Sequence, residues 1–341
     1  MTHTNFQQPL VSVLTPVYNG ERYLADCIES VLGQTYQNWE YIIVNNCSTD
    51  RTLEIATQYA HQDSRIRIVD NSEFVCVNRN HNIALEMISP ASKYCKFVQA
   101  DDLIFPTCLS EMVQLAEAHP SVAIVGSYQL WGSWVHCDGF PYPSTVMPGR
   151  EVCRTYFLTR RAPFGSMSSF LLRADLVRSH TPFLNEKYLL ADWEINFRFL
   201  QNHDYGFVHQ VLSMWRIHNE ALSSFAERHN QWNLDELYFV KHYGQMYLNP
   251  EEYEHCLKQA LDRYYRIQGH ELFHLRERSF WQYHRRMMKE FGFSLDNLSL
   301  LKGALLATAD IFLEPFKALT RPLRYIRSGQ FRLRPQPQPK R

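Results

Sequence analysis

Between residues 10 and 125 the chain keeps switching between short apolar runs and helical spacing, and that alternation leaves few folds open. Strand candidates fall at 10–14, 41–44, 66–69, 96–99 and 122–125, rich in Val, Ile, Leu and aromatics. Helical spacing separates them, at Leu24, Cys27, Ile28, Val31 and Leu32, at Leu53, Ala56 and Tyr59, over Asn80 to Met87, and at Leu109, Met112, Val113 and Ala116. Ser48 or Thr49 is placed to cap the second of these helices. A repeated strand–helix–strand rhythm predicts an α/β domain whose sheet is mostly parallel and covered by helices on both faces. Such sheets present ligands at the carboxyl ends of their strands. No G-x-G-x-x-G joins the first strand to the first helix, which disfavours a dinucleotide-binding dehydrogenase.

The strand predicted at 96–99 runs straight into Ala100-Asp101-Asp102, with Pro106 beyond. Two carboxylates at a strand end are hard oxygen ligands, suited to holding Mg²⁺ or Mn²⁺ against a diphosphate. Aspartate is also a common turn residue, and by itself the pair does no more than begin a turn.

The 341 residues allow one large core or two domains, and 45% hydrophobic content describes a globular chain. Lys+Arg and Asp+Glu are both 35, so nothing favours nucleic acid as a partner. Eight scattered cysteines lack any C-x-x-C pair, which excludes a zinc ribbon and resembles reduced, intracellular usage. Residues 1–9 are polar, without the apolar core of a secretion signal, and no apolar run reaches spanning length. A cytoplasmic location follows as the expectation. Residues 127–148 hold Gly, Pro and aromatics without periodicity and are expected to form a wall of a cleft. The expected division is a nucleotide-binding domain over 1–225, a helical region over 226–300, and an amphipathic helix with a basic tail over 301–341. Residues 303–319 are apolar but interrupted by Asp310 and Glu314, and 321–341 carry seven Lys/Arg and no acid. That end suits peripheral attachment to an anionic membrane surface, or else is a solvated tail.

Three separated pieces of this sequence, in order and in register, resemble glycosyltransferase family 2. They are Val13-Leu14-Thr15-Pro16-Val17-Tyr18-Asn19 with Glu21, then Val44-Asn45-Asn46-Cys47-Ser48-Thr49-Asp50, then Asn78-Arg79-Asn80 leading to Gln99-Ala100-Asp101-Asp102. The resemblance covers about residues 9–220 and leaves out the helical last third. It implies the A-type glycosyltransferase fold and an inverting, metal-dependent transfer of a sugar from a nucleotide-sugar to a hydroxyl. The acceptor it implies is a growing glycan or lipid-linked sugar of the cell envelope.

The same resemblance implies roles for residues. Thr15, Pro16, Tyr18 and Glu21 would pack on base and ribose. Asn45 stands where the family has an aspartate facing the base, and its amide keeps an acceptor while adding a donor. Arg79 would close over base or diphosphate, or is a surface arginine. Asp102 would be the metal ligand and Asp101 the ribose contact, with Gln99 replacing a further acid. Asp192, in the segment 189–194, would be the general base, with Glu194 next in line; Asp192 as a helix cap is the plainer alternative. In Met214-Trp215-Arg216-Ile217-His218, followed by Ser223, His218 would reach the metal or diphosphate with Arg216 in support, although an isolated His is often structural. Gly165-Ser166-Met167-Ser168-Ser169 would line the acceptor side or permit a tight turn. The rival is a non-catalytic sugar-nucleotide-binding or scaffolding protein, favoured by the departures at Asn45 and Gln99 and opposed by Asp101, Asp102 and Asp192.

Overall fold

A computed structural model of the chain describes residues 8–187, 191–218, 229–274 and 276–309. Ser223 and the basic 321–341 segment lie outside the described residues, as do 189–190 and 310–319. The first elements follow the expected rhythm: β1 (Leu10–Val17), α1 (Leu24–Leu32), β2 (Trp39–Asn45), α2 (Thr52–Gln62), β3 (Ile66–Asp70), α3 (Val77–Glu86) and β4 (Ser92–Phe97). A two-residue β5 (Leu103–Ile104), α4 (Cys108–Ala118) and β6 (Val122–Trp131) come next. α1 buries Leu24, Cys27, Ile28 and Val31, the residues at helical spacing. They pack with Val11, Val13, Tyr41 and Ile43 from the strands and Met112 and Val113 from α4. Burying each such aliphatic side chain contributes about 1.5–3 kcal/mol, so this cluster dominates the stability of the domain.

The loops after β1 and β2 are laced together rather than capped. Ser48 Oγ accepts from the Asn19 backbone N–H at 2.9 Å, and Thr49 N–H donates to Asn19 Oδ1 at 2.8 Å. The residue before α2 is Arg51, and its side chain makes no capping bond. Asp50 does the equivalent work, accepting from Thr52 N–H at 3.0 Å. The expected Ser48 or Thr49 cap is therefore replaced by a brace between two strand-end loops.

After β6 come β7 (Trp134–His136), β8 (Val146–Pro148), α5 (Gly149–Thr159), a 3₁₀ turn (Met167–Ser169), β9 (Phe170–Arg173), α6 (Ala174–Arg178), α7 (Ala191–Phe199) and β10 (Asp204–Trp215). Among the described residues one ten-stranded sheet has the order β3-β2-β1-β4-β9-β6-β10-β5, with β7 on β6 and β8 on β10. The pairs β3–β2, β2–β1 and β1–β4 are parallel. β9 then enters antiparallel to both β4 and β6, and β6 pairs in parallel with β10. The α/β class is as expected; the sheet is mixed rather than mostly parallel, because β5, β7, β8 and β9 all pair antiparallel to their neighbours. Residues 127–148, which lack periodicity, hold the end of β6, the β7 hairpin arm and all of β8.

The chain divides into two units, 1–226 with 239–256, and 227–238 with 257–341. The first carries the sheet. The second is helical where described, drawing on α8 (Gln231–Tyr247), α9 (Pro250–Glu271), α10 (Arg278–Glu290) and a helix over 297–309. Among the described residues no helix is long and apolar enough to cross a membrane.

Candidate active site

The parallel half of the sheet sends its strand ends to one edge, and the chemistry-bearing residues gather there. β4 finishes at Phe97, and a turn closed by Asp102 N–H to Gln99 C=O at 2.9 Å presents Asp101 and Asp102. Asp102 is fully buried. Its Oδ2 accepts from Ser168 Oγ at 2.6 Å and its Oδ1 from the Arg216 backbone N–H at 3.2 Å. Burial, and then the neighbouring Asp101 charge, push its pKa well above the usual carboxylate range. Asp101 is partly exposed, and its Oδ2 meets His218 Nε2 at 2.8 Å.

Arg216 locks the two acids to the start of α1. Its Nε donates to the Asp101 carbonyl at 3.0 Å and its guanidinium pairs with Asp26 at 3.1 Å. The same guanidinium lies 4.5 Å from the Tyr23 ring centroid, and the His218 ring is 4.9 Å from that ring. Asp101, Asp102, Arg216 and His218 are thus brought together across more than a hundred residues. Tyr23 and Asp26 had no motif to mark them. Among the described residues no three His, Cys, Asp or Glu side chains form a ready-made metal cage. A hard cation held by one or two carboxylates, with the remaining positions filled by ligand oxygens, is the usual arrangement for Mg²⁺, and the Asp101–Asp102 edge fits it.

The strand ends of β1 to β3 hold the other residues singled out. Tyr18 and Phe74 are both exposed and meet edge to face at 4.9 Å, a pair of apolar ring faces open to solvent. Phe74, in the loop before α3, had only its aromatic character to mark it. Thr15 lies inside β1, not beyond it, and is fully buried. Its hydroxyl donates to Val98 C=O at 2.6 Å, so the Thr15 side chain braces β1 against β4, and Pro16 is likewise buried. Glu21 is exposed and accepts from Arg51 N–H at 3.0 Å, joining the same brace of loops. Asn45 is buried at the end of β2, where its amide donates to Asp70 Oδ1 at 2.7 Å and its carbonyl takes Ser48 N–H at 3.3 Å. The carboxylate on this edge is therefore Asp70, one strand over, at the register partner of Asn45. Arg79 pairs with Glu86 at 2.6 Å along α3, the surface reading of that residue. Gln99, where an acid was expected, hydrogen bonds His81.

Asp192 sits in the first turn of α7, half-buried, with its carboxylate taking the neighbouring Trp193 N–H at 2.9 Å. Ala191 is already helical, so Asp192 lies within the described part of α7. Burial pushes its pKa up to about 7. Among the described residues it makes no hydrogen bond or ion pair with the Asp101–Asp102 group. Glu194 is buried and accepts from the Tyr243 hydroxyl.

The family model for Glycosyl transferase family 2 matches residues 12–177. Over 229 residues the chain is 43% identical to the Bacillus subtilis (strain 168) protein TuaG, whose name places it in teichuronic acid biosynthesis as a glycosyltransferase. That match takes in 67% of this chain and 85% of TuaG. The chain belongs to glycosyltransferase family 2. Another relative, the glycosyltransferase EpsE of the same organism, is 32% identical over 171 residues, 48% of this chain; the match spans 60% of the length of EpsE. Among solved structures, S. aureus TarS 1–349 in complex with UDP-GlcNAc superposes with a TM-score of 0.58 at 17% identity, covering 82% of this chain and 80% of that one. The mannosyltransferase PcManGT from Pyrobaculum calidifontis, in complex with GDP-Man and Mn²⁺, gives 0.54 at 15% identity, covering 94% and 85%. These likenesses show that the family 2 chain has the A-type glycosyltransferase fold.

Proposed function

We propose that the protein is an inverting glycosyltransferase moving a sugar from a nucleoside diphosphate-sugar to a hydroxyl of a glycan or lipid-linked acceptor. The observation that carries this reading is the meeting of Asp101 and Asp102 with Arg216 and His218 at the carboxyl edge of the parallel strands. The domain over 1–225 does the chemistry. The Tyr18–Phe74 pair offers faces on which a base can stack, and Asp70 with Asn45 offers the polar edge beside them. Glu21 ties the loop after Tyr18 to Arg51, and Thr15 braces β1 beneath it; Arg79, exposed on α3, would close over the base or diphosphate by leaving Glu86.

Asp102, with Asp101 and His218 beside it, would hold Mg²⁺ or Mn²⁺. A divalent cation there supplies charge neutralisation for the departing nucleoside diphosphate. Asp192 takes the acceptor proton as the acceptor oxygen forms its bond to the anomeric carbon and the bond from that carbon to the diphosphate breaks. Attack from the face opposite the leaving group inverts the configuration. A carboxylate with a pKa near 7 is matched to this task at neutral pH. Glu194, tied to Tyr243, is the weaker candidate.

The helix over 297–309 supports a cytoplasmic protein bound peripherally to the inner face of the membrane. It buries Leu300, Ala304 and Ala307 and leaves Leu298 and Leu305 76% and 73% exposed, with Leu301 on the same stripe. Basic sequence without acids follows from Lys317 onward. An exposed leucine stripe leading into basic residues suits an anionic lipid surface.

Calorimetric titration with UDP, GDP and their sugar conjugates, with Mn²⁺ and with chelator, tests the donor site. One nucleotide is expected to bind with Mn²⁺, to lose affinity in chelator, and to be lost on Asp102→Ala; turnover of its sugar conjugate then follows by release of the diphosphate. Absence of binding by the folded protein would favour the scaffolding alternative.

A further inference from the structure

The carboxylate of Asp102 is oriented from a segment more than sixty residues away. Ser168, in the 3₁₀ turn Met167–Ser169, is fully buried. Its Oγ accepts from the Gln99 backbone N–H at 3.0 Å and lies 2.6 Å from Asp102 Oδ2. A serine hydroxyl has one proton, and with an N–H already donating to the oxygen, that proton points at the carboxylate. The turn is itself pinned. Lys96 on β4 is entirely buried, and its ammonium donates to the Ser168 carbonyl at 2.5 Å and to the Phe170 carbonyl at 3.2 Å. An ammonium removed from water needs such partners, so Lys96 fastens the turn to the strand that carries the acids.

We propose that Ser168, braced by Lys96, is a positioning residue that sets the orientation in which Asp102 meets the donor diphosphate and its cation. With Oδ2 held by Ser168 and Oδ1 by the Arg216 backbone, the carboxylate cannot rotate, and its remaining lone pairs keep one direction. Partners of this kind fix ligand geometry, and their loss typically weakens metal binding by about 10–100-fold. Ser169 provides a control beside it: equally buried, its hydroxyl bonds to the Ser166 carbonyl at 2.7 Å, within its own turn.

The inference rests on the reading of Asp101–Asp102 as the diphosphate site, and the experiment separates the two. The full chain is titrated with Mn²⁺ and whichever of UDP or GDP the wild type binds more tightly, with free Mn²⁺ followed by its EPR signal. Ser168→Ala is expected to weaken binding by about tenfold or more, Ser168→Thr to restore it, and Ser169→Ala to leave it unchanged at a similar loss of melting temperature. Lys96→Met is expected to shift affinity in the direction of Ser168→Ala. Wild-type affinity in Ser168→Ala, or an equal loss in Ser169→Ala, overturns the positioning role while the donor site stands. If the wild type binds neither nucleotide, the donor-site reading falls and takes this inference with it.

Discussion

Asp192 and Glu194 stand two residues apart on α7 and meet opposite surroundings. Glu194 is buried against a tyrosine hydroxyl that bonds it, whereas Asp192 among the described residues is met by backbone donors and has a pKa raised to about 7 by burial. Only the ionised carboxylate accepts a proton, so the rate of transfer is expected to rise with pH through about 7 and then level off, read from kcat/KM against pH. Asp192→Asn is expected to lower turnover by about 10²–10⁴-fold while nucleotide binding persists. The stability consequence has a definite sign. A carboxyl whose folded pKa lies above its unfolded one stabilises the fold while protonated, and that contribution is lost as pH rises through 7. Asp192→Asn carries no such loss, so at pH 8 its denaturant midpoint should equal or exceed that of the wild type. An unchanged turnover would remove Asp192 from the mechanism.

Elements constrain the site through close backbone approach. Gly126 in β6 faces Tyr205 in β10, and a Cβ at this position would stand well inside van der Waals contact of the Tyr205 hydroxyl oxygen. That hydroxyl donates to Pro163 C=O at 3.0 Å, in the segment leading to the turn that carries Ser168. Gly126→Ala is therefore expected to cost about 1–3 kcal/mol, measured by urea denaturation, with Tyr205→Phe relieving part of the loss. The same scale explains the missed β9. It has four residues, Phe-Leu-Leu-Arg, with no alternation to separate strand from buried helix, and only pairing with β4 and β6 decides it.

For the whole molecule, zero formal charge conceals a strong local asymmetry. Residues 321–341 carry seven of the 35 basic side chains and no acid. A basic segment near anionic lipid contributes about 1 kcal/mol per charge, screened by salt, whereas leucines contribute in a salt-resistant way. Deleting 321–341 is expected to lower the fraction bound to phosphatidylserine-containing vesicles and to flatten its salt dependence in sedimentation. Replacing Leu298, Leu301 and Leu305 by serine should remove the salt-resistant part. Unchanged binding in both variants would leave this end without its proposed membrane role.

The sequence by itself determined the order of the main strands and helices over the first 125 residues, because apolar periodicity is a local property of the chain; it missed the two-residue β5 and placed β4 at 96–99, where the strand is Ser92–Phe97. It also singled out Asp101, Asp102, Arg216 and His218, since their residue types and relative order form a recognisable motif. Tertiary structure alone decided that His218 and Arg216 touch the two acids, that Ser168 and Lys96 orient one of them, that Asn45 is occupied by Asp70, and that Tyr18 finds Phe74. Those contacts join segments 25 to more than 100 residues apart. They depend on which strands become neighbours, and no pattern within either segment records that choice.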